Sequence, residues 1–499
     1  MQNPLMDIQD CSSSTTLSSS GSSSSSCSVA AYNLPSSQLN HLAHKNIFKN
    51  PTGTYYHNNE ENIISINCNP SNLSTWVDSF LSEDYVISDP GRFMGSLGWV
   101  GNNVVQHQQQ LHEQIGPLPL LAVQNNTLMD HEESSIQLVH VLMTCADAVQ
   151  RGEFSLAGSL IKDLVNLSTR VNSESGIGKV AGYFIDALSR RLSKPQGLGL
   201  SGSVYESEIL YHHFYEASPC LKFGHFIANQ AILEGFDGFD NVHVIDFNIM
   251  QGLQWPTLIQ ALALRPGGPP TLKLTGIGQP SNDGRDPLRE VGMKLANLAQ
   301  TINVRFDFRG ILASRLDDIE PWMLKTDPKE VVAVNSIMQL HKLLGSSSSI
   351  DTVLGWIHGL NPKVVTVVEQ EANHNQPEFL HRFTEALYYY STMFDSLEGS
   401  LNQPEKSLAE VYIHREICNV VCCEGSSRVE RHEPMTKWRA RLSRAGFKQL
   451  HLGGNALKQA NMLLTLCSAD GYCVEENDGG LTLGWHSRPL VAASAWEAA

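Results

Sequence analysis

After residue 240 this chain alternates short apolar runs with stretches of helical spacing, and that alternation limits the architecture more than any other feature. "NVHVIDF" is followed by the helix-spaced "LQWPTLIQALAL", and "TLKLTGIG" by "DPLREVGMKLANLAQTI". "NVRFDFRG", "EVVAVNSIM" and "KVVTVVEQE" continue the series. Each run is almost continuously apolar, as a strand covered on both faces must be. The pattern predicts an α/β fold with a doubly wound, mainly parallel sheet over about residues 240–499. Near the end, "YCVEENDGGLTLGWHSRPLVAASAW" sets Asp-Gly-Gly between two strand-like runs, which predicts an antiparallel hairpin.

Ahead of the strands lies a helical region, about 131–235, that predicts a cap on the sheet. "SSIQLVHVLMTCADAVQRGEFSLAGSLIKDLVNL" puts Ile136, Val139, Leu142, Met143 and Ala146 on one face and Leu156, Leu160, Ile161 and Leu164 on another. Arg151-Gly152 divides the two helices. "KVAGYFIDALSRRL" is a further helix, and "ILYHHFYEASPCLKFGHFIANQAILEGF" supplies at least one more. No heptad persists for three or four repeats, so a helical-bundle core is the better reading than a dimerising coiled coil.

The first 130 residues have another texture. Twelve of the eighteen residues from Cys11 to Ser28 are serine, and Asn and Gln clusters follow. Such a segment buries too little apolar surface to offset its chain entropy and is expected to be disordered. One island interrupts it, "NPSNLSTWVDSFLSE" (69–83), with Leu73, Trp76, Val77, Phe80 and Leu81 at helical spacing. It reads either as a helix packed on its own domain or as one that folds on a partner.

Charge argues against nucleic acid as a direct ligand. The chain carries 35 basic and 51 acidic residues, a net −16, whereas DNA-binding surfaces are basic because they displace counterions from phosphate. The densest basic run, "TKWRARLSR" (436–444), reads as a solvated helix face. "MQNPLMDIQD" lacks the features of a secretory signal, no apolar stretch is long enough to span a membrane, and ten scattered cysteines suit a reducing compartment.

A parallel sheet that closes in an antiparallel hairpin is the layout of Rossmann-like methyltransferases, a fold analogy that assigns no activity. Such folds bind a cofactor where the first strand turns into a helix, and glycines there let the backbone approach it. After Asp246 this chain has Phe, Asn, Ile, Met and Gln before Gly252, so Ile249 and Met250 are expected to fill that space. The second strand ends in Gly276-Ile277-Gly278-Gln279 rather than in an acid for ribose hydroxyls. No cofactor, no metal and no enzymatic activity are expected. Cys418, Cys422 and Cys423 read as small buried thiols, and His212-His213 as a helix-surface pair, because no local zinc motif completes either set.

These residues carry a family resemblance. Val242, His243, Val244, Ile245 and Asp246, with Gln251, Gly252, Gln254 and Trp255, resemble the Val-His-Ile-Ile-Asp signature of plant GRAS proteins. Leucine-rich helical regions flank it, at about 136–235 and 285–320. The segment from Pro377 to Arg415-Glu416 resembles the PFYRE region, and Trp438, Gly446, Trp485 and Ser494-Ala495-Trp496 resemble the SAW region. Together these cover about residues 131–499. Within the family, "LVHVLMTCADAVQRGEFSLA" and "DGYCVEENDGGLTLGWHSRPL" are similar to the DELLA subfamily. So is 65–83, where Asn69-Pro70 stand in an altered Thr-Val-His-Tyr-Asn-Pro region.

The resemblance implies a nuclear co-regulator of transcription that represses gibberellin-responsive growth by docking on DNA-binding transcription factors. Leu138, Leu142 and Met143 are candidate docking anchors, with core positions as the competing reading. Gibberellin receptor and an F-box ubiquitin ligase subunit are implied partners through Trp76, Phe80 and Leu81. Residues 1–60 contain no Asp-Glu-Leu-Leu-Ala segment, so this contact is expected to be weakened or lost. An S-adenosylmethionine-dependent methyltransferase and a direct DNA-binding factor are the alternatives.

Overall fold

The structure, a computed structural model, describes residues 124–171, 176–193, 203–281, 284–398, 403–466 and 471–499. Helices come first: α1 (Gln124–Gln150), α2 (Phe154–Ser168), α3 (Gly176–Ser193), α4 (Val204–Ala217) and α5 (Pro219–Gly235). Helix thus begins ahead of the boundary expected near residue 131. The stretch after 208, expected to supply at least one helix, holds the end of α4 and all of α5, divided where Ser218 caps the Cys220 N–H and Pro219 opens α5.

Strand and helix then alternate as the pattern predicts: β1 (Asn241–Asp246), α6 (Trp255–Ala263), β2 (Thr271–Gly278), α7 (Pro287–Thr301), β3 (Phe306–Leu312), β4 (Val331–Ile337), α8 (Ser347–Gly359) and β5 (Val364–Gln370). Two long helices follow, α9 (Phe379–Glu398) and α10 (Gln403–Cys422), then α11 (Met435–Arg444), β6 (Phe447–Leu450), α12 (Gly454–Leu466), β7 (Tyr472–Asn477), β8 (Gly480–Trp485) and β9 (Arg488–Ala498). The span 285–320, expected as a second leucine-rich helical region, is instead helix α7, edge strand β3 and a short 3₁₀ turn.

The sheet has nine strands in the order β3-β2-β1-β4-β5-β9-β8-β7, with β6 pairing β9. Strands β1 to β5 are parallel and β9 is antiparallel to β5. The Asp478-Gly479 turn has positive φ at both residues, the form that a tight hairpin requires. The hairpin is nevertheless only part of the ending. A second turn at His486-Ser487, also at positive φ, returns β9 to the middle of the sheet. There the Ser494-Ala495-Trp496 motif pairs with Thr366 and its neighbours on β5.

Successive side chains on a strand point to opposite faces, so the sheet divides the interior into two cores. Val244, Ala333, Val364 and Val368 join the core beneath the helical cap. Ile245, Val334, Val365 and Val367 join the other, with α8, Trp438 and Trp496. The cap is not the sequence-local unit expected over 131–235. Helices α9 and α10 pack among α1, α3 and α4, while α5 lies on β4, β5 and β9. Among the described residues no helix is long and apolar enough to cross a membrane.

Trp496 is 1% exposed and Trp322, in a 3₁₀ turn near β3, is 70% exposed. Trp496→Ala is expected to cost about 3–5 kcal/mol, and Trp322→Ala to stay within about 0.5 kcal/mol. Thermal unfolding followed by circular dichroism checks both.

Candidate functional site at the carboxyl edge of the sheet

The register aligns Gly276, Asp246, Asn335 and Thr366 in one row across β2, β1, β4 and β5. Asp246 is buried at the point where the strand order reverses, between β1 and β4, which is where such folds open a ligand crevice. Here its carboxylate is fully occupied by the protein. Oδ2 accepts the Trp255 Nε1–H at 2.9 Å, and Oδ1 accepts from Asn335 Nδ2 at 3.1 Å and from the Asn248 backbone N–H at 3.3 Å. Asn335 is bound in turn by Gln254 Nε2 and the Thr366 hydroxyl, and Gln254 reaches Asn229 on α5.

Side chains also pack closely against the corner. A Cβ at Gly276 would lie 2.4 Å from Ile249 Cδ1, so the glycine serves the packing of an isoleucine and not the approach of a phosphate. Ile249 is buried, and Met250 sits half-buried with a φ of 44°. The rest of the signature is equally structural. Val242 and Val244 are in the cap-side core and Ile245 in the opposite one. His243 Nε2 meets Thr275 Oγ1 at 2.8 Å. Burial first, and then Lys273 and Arg309, hold it neutral with a pKa of about 3.

A groove with a volume of about 690 Å³ lies between this edge and the cap. Ile249, Met250 and Leu316 contribute apolar walls, and Arg315, Lys342 and Arg415 bring positive charge. Under it lies a polar cluster that no sequence motif announces. His341 Nδ1 is 2.6 Å from Glu369 Oε2, and its Nε2 is 2.8 Å from Glu430 Oε2. Burial opposes charge on this imidazole, but the two carboxylates outweigh burial and push it up to about 9. Burial first, and the Glu430 charge second, push Glu416 up to about 7. The His341 shift reports the negative charge around it, and the Glu416 shift reports burial before charge.

The remaining sequence-derived positions scatter. Leu138 and Leu142 are wholly buried in the cap core, so they present no surface to a partner; this corrects their reading as docking anchors. Their stripe continues through Cys145, Ala146 and Val149, and Met143 is half-buried beside it. The apolar surface that α1 and α2 do expose is Ile136 (66%), Phe154 (63%), Leu156 (44%) and Val165 (50%). Arg415 pairs with Glu206 on α4 at 3.1 Å, and Glu416 accepts from Gln370 at 2.8 Å and Tyr390 at 3.2 Å.

The Pro377 carbonyl accepts from buried Arg382. Trp438, Ala495 and Trp496 are core residues. Trp485 Nε1 donates to Asp395, and Trp496 Nε1 to the Ser494 hydroxyl. Trp76, Phe80 and Leu81 lie outside the described residues. In α11 the basic run is only partly a solvated face, because Trp438 and Leu442 are buried. Arg439 is paired with Asp478 and Arg441 with Glu433. Cys418 is a buried thiol as expected, but folding brings His414 and Asp186 beside it. His212 and His213 are half-buried, not surface residues.

Burial first, offset in part by its three donors, raises Asp246 from 3.8 to about 6. A carboxyl whose folded pKa lies above its unfolded value adds stability below the unfolded pKa and loses it as pH rises through the folded one. Asp246→Asn, which cannot titrate and turns a donor toward Trp255 or Asn335, should destabilise the fold. The gap from wild type is expected to narrow between about pH 4 and pH 7. Trp255→Phe is expected to cost about 1–3 kcal/mol by stripping a donor from a buried carboxylate. Denaturant titrations across that pH range measure both.

Compared with known proteins, residues 138–497 match the GRAS domain family. SLENDER RICE1-LIKE 1 of Oryza sativa subsp. japonica is 56% identical over 74% of this chain and 76% of its own. DELLA protein 2 of Medicago truncatula is 45% identical over 94% of this chain and 92% of its own. DELLA protein GAI of Arabidopsis thaliana is 53% identical over 74% and 70%. Among solved structures, SCL7 of Oryza sativa aligns with a TM-score of 0.63 at 32% identity, over 72% of this chain and 99% of that one. The chain belongs to the GRAS domain family, within its DELLA subfamily.

Proposed function

We propose that this protein is a nuclear co-regulator of transcription that restrains gibberellin-responsive growth by binding DNA-binding transcription factors. The corner after β1 carries this reading. Asp246 spends its carboxylate on Trp255, Asn335 and Asn248, and Ile249 packs on Gly276, where a nucleotide-binding fold would bring bare backbone to its ligand. These contacts favour a doubly wound domain that serves as a platform for partners over a transferase. The net charge of −16, and the pairing of Arg439 and Arg441 with carboxylates, favour protein partners over duplex DNA.

The exposed side chains of α1 and α2 are the docking face. Ile136, Phe154, Leu156 and Val165 stand out from a helix pair whose opposite side is tied into the core, and aromatic and aliphatic anchors of this kind dominate partner binding. Import into the nucleus rests on a partner or a dispersed signal, since no dense basic targeting run is present in the sequence. Contact with gibberellin receptor and an F-box ubiquitin ligase subunit is weakened or lost. Residues 1–60 hold no Asp-Glu-Leu-Leu-Ala segment, and 65–83 is an altered version of the second contact region. Halving the anchors of a segment that must also be ordered on binding leaves little net affinity.

Three measurements test this. Phe154→Ser with Val165→Ser should weaken capture of a transcription-factor partner about tenfold or more, roughly 1.4 kcal/mol, and leave the melting temperature nearly unchanged. After gibberellin treatment, this protein should persist while a DELLA protein with both N-terminal segments declines. Equal loss of the two would refute the proposed escape from hormone control. Calorimetry with S-adenosylmethionine should give no binding heat, and micromolar affinity would overturn the platform reading.

A further inference from the structure

The floor of the groove gathers ligand-type side chains from separate stretches of chain. His341 follows β4, Glu416 lies on α10, and Glu430 and His432 lie between α10 and α11. His341 Nε2 is 2.8 Å from Glu430 Oε2, and His432 Nε2 is 3.3 Å from the same oxygen. Glu416, Glu430 and His432 each offer a ligand atom within 4.8 Å of the other two, and so do His341, Glu369 and His432. Atoms bound tetrahedrally at zinc–ligand distances of about 2.0–2.2 Å stand roughly 3.4 Å apart, so small side-chain shifts would bring Glu416, Glu430 and His432 to that spacing, with His341 Nε2 already 2.8 Å from Glu430.

His432 points to a ligand independently. It is fully buried, its Nδ1 has no hydrogen-bond partner, and its Nε2 faces only Glu430 Oε2 at 3.3 Å. Buried polar atoms are ordinarily partnered. The outer shell is already built. Glu369 faces His341 Nδ1 at 2.6 Å and is itself held by the Leu340 and His341 backbone N–H groups. Glu416 is oriented by Gln370 and Tyr390. A carboxylate behind a histidine, itself hydrogen-bonded, is how metal-binding imidazoles are commonly aligned. His341, Glu416 and Glu430 also line the groove, which supplies an entry path.

We propose that this cluster binds one divalent transition-metal ion through His341 Nε2, His432 Nε2 and the carboxylates of Glu430 and Glu416, with Glu369 as the outer-shell acceptor for His341. Nitrogen and oxygen donors without sulfur suit zinc, and also manganese or ferrous iron. The ion ties the loop after β4 to α10 and to the segment that leads into α11, and so fixes the groove floor. The other histidine-containing cluster, Asp186, His414 and Cys418, is the weaker candidate. Asp186 Oδ2 already receives Arg190 at 2.6 Å and His414 at 3.0 Å, and the guanidinium would repel a cation.

The test uses the full chain, stripped with chelator and then titrated with zinc chloride, with bound metal counted by elemental analysis after desalting. One equivalent is expected, together with a rise in melting temperature. His432→Gln should weaken binding at least tenfold, while Cys418→Ser should leave it unchanged. Cobalt(II) gives a second reading that does not depend on the variant folding. Visible bands of a nitrogen–oxygen site without thiolate charge transfer are expected. Binding that survives His432→Gln, a thiolate band, or no bound metal would each overturn the proposal.

Discussion

A carboxylate buried without a cation organises the centre of this molecule. Asp246 can sit there only because an indole N–H, a side-chain amide and a backbone N–H all converge on it. Each donor is fixed by something else: Trp255 opens α6, Asn335 is in register on β4, and Asn248 belongs to the turn between β1 and α6. A buried acid costs least when its donors are already in place. The requirement therefore runs outward through Gln254 and Asn229 to the cap, and through Thr366 to β5. The crevice that related architectures keep for a ligand is used here to join sheet, cap and first crossover helix.

The cap gains rigidity from its composite origin. Helices α1 to α4 arrive before the sheet in chain order, but α9 and α10 arrive after most of it, and they interlock. Lys179 on α3 bonds Glu410 on α10, Arg191 donates to the Val421 carbonyl, and Arg415 pairs with Glu206. These partners are far apart in sequence, so the cap cannot swing as an independent lobe without breaking buried contacts. The exposed apolar side chains of α1 and α2 are thereby held at a fixed position relative to the sheet.

The parallel strands were legible because both of their faces are covered and their composition says so, as in "KVVTVVEQE", where every residue of β5 is buried. A buried side chain at Ile249 was legible for a similar reason, since no glycine stands there. Other features had no local signature. An amphipathic α1 announces that it has a buried face but not which residues complete it, so Leu138 and Leu142 could be read as either core or surface. The His486-Ser487 turn carries no usual hairpin residue, and the inward return of β9 was invisible for that reason. The groove-floor cluster draws on His341, Glu369, Glu416, Glu430 and His432, whose spacing matches no motif; only folding brings them together.

The place of β9 bears on how the protein can be made. It follows all the other strands in chain order, yet it pairs with β5, β6 and β8 and carries the sheet across its midline. Synthesis runs from the amino end, so β5 leaves the ribosome with an open, valine-rich edge that has no partner until residues 488–498 emerge. During that interval the nascent chain displays the kind of unpaired strand that invites pairing with other chains. Cells that make this protein must either keep that edge occupied with a chaperone or complete translation faster than the edge finds another strand.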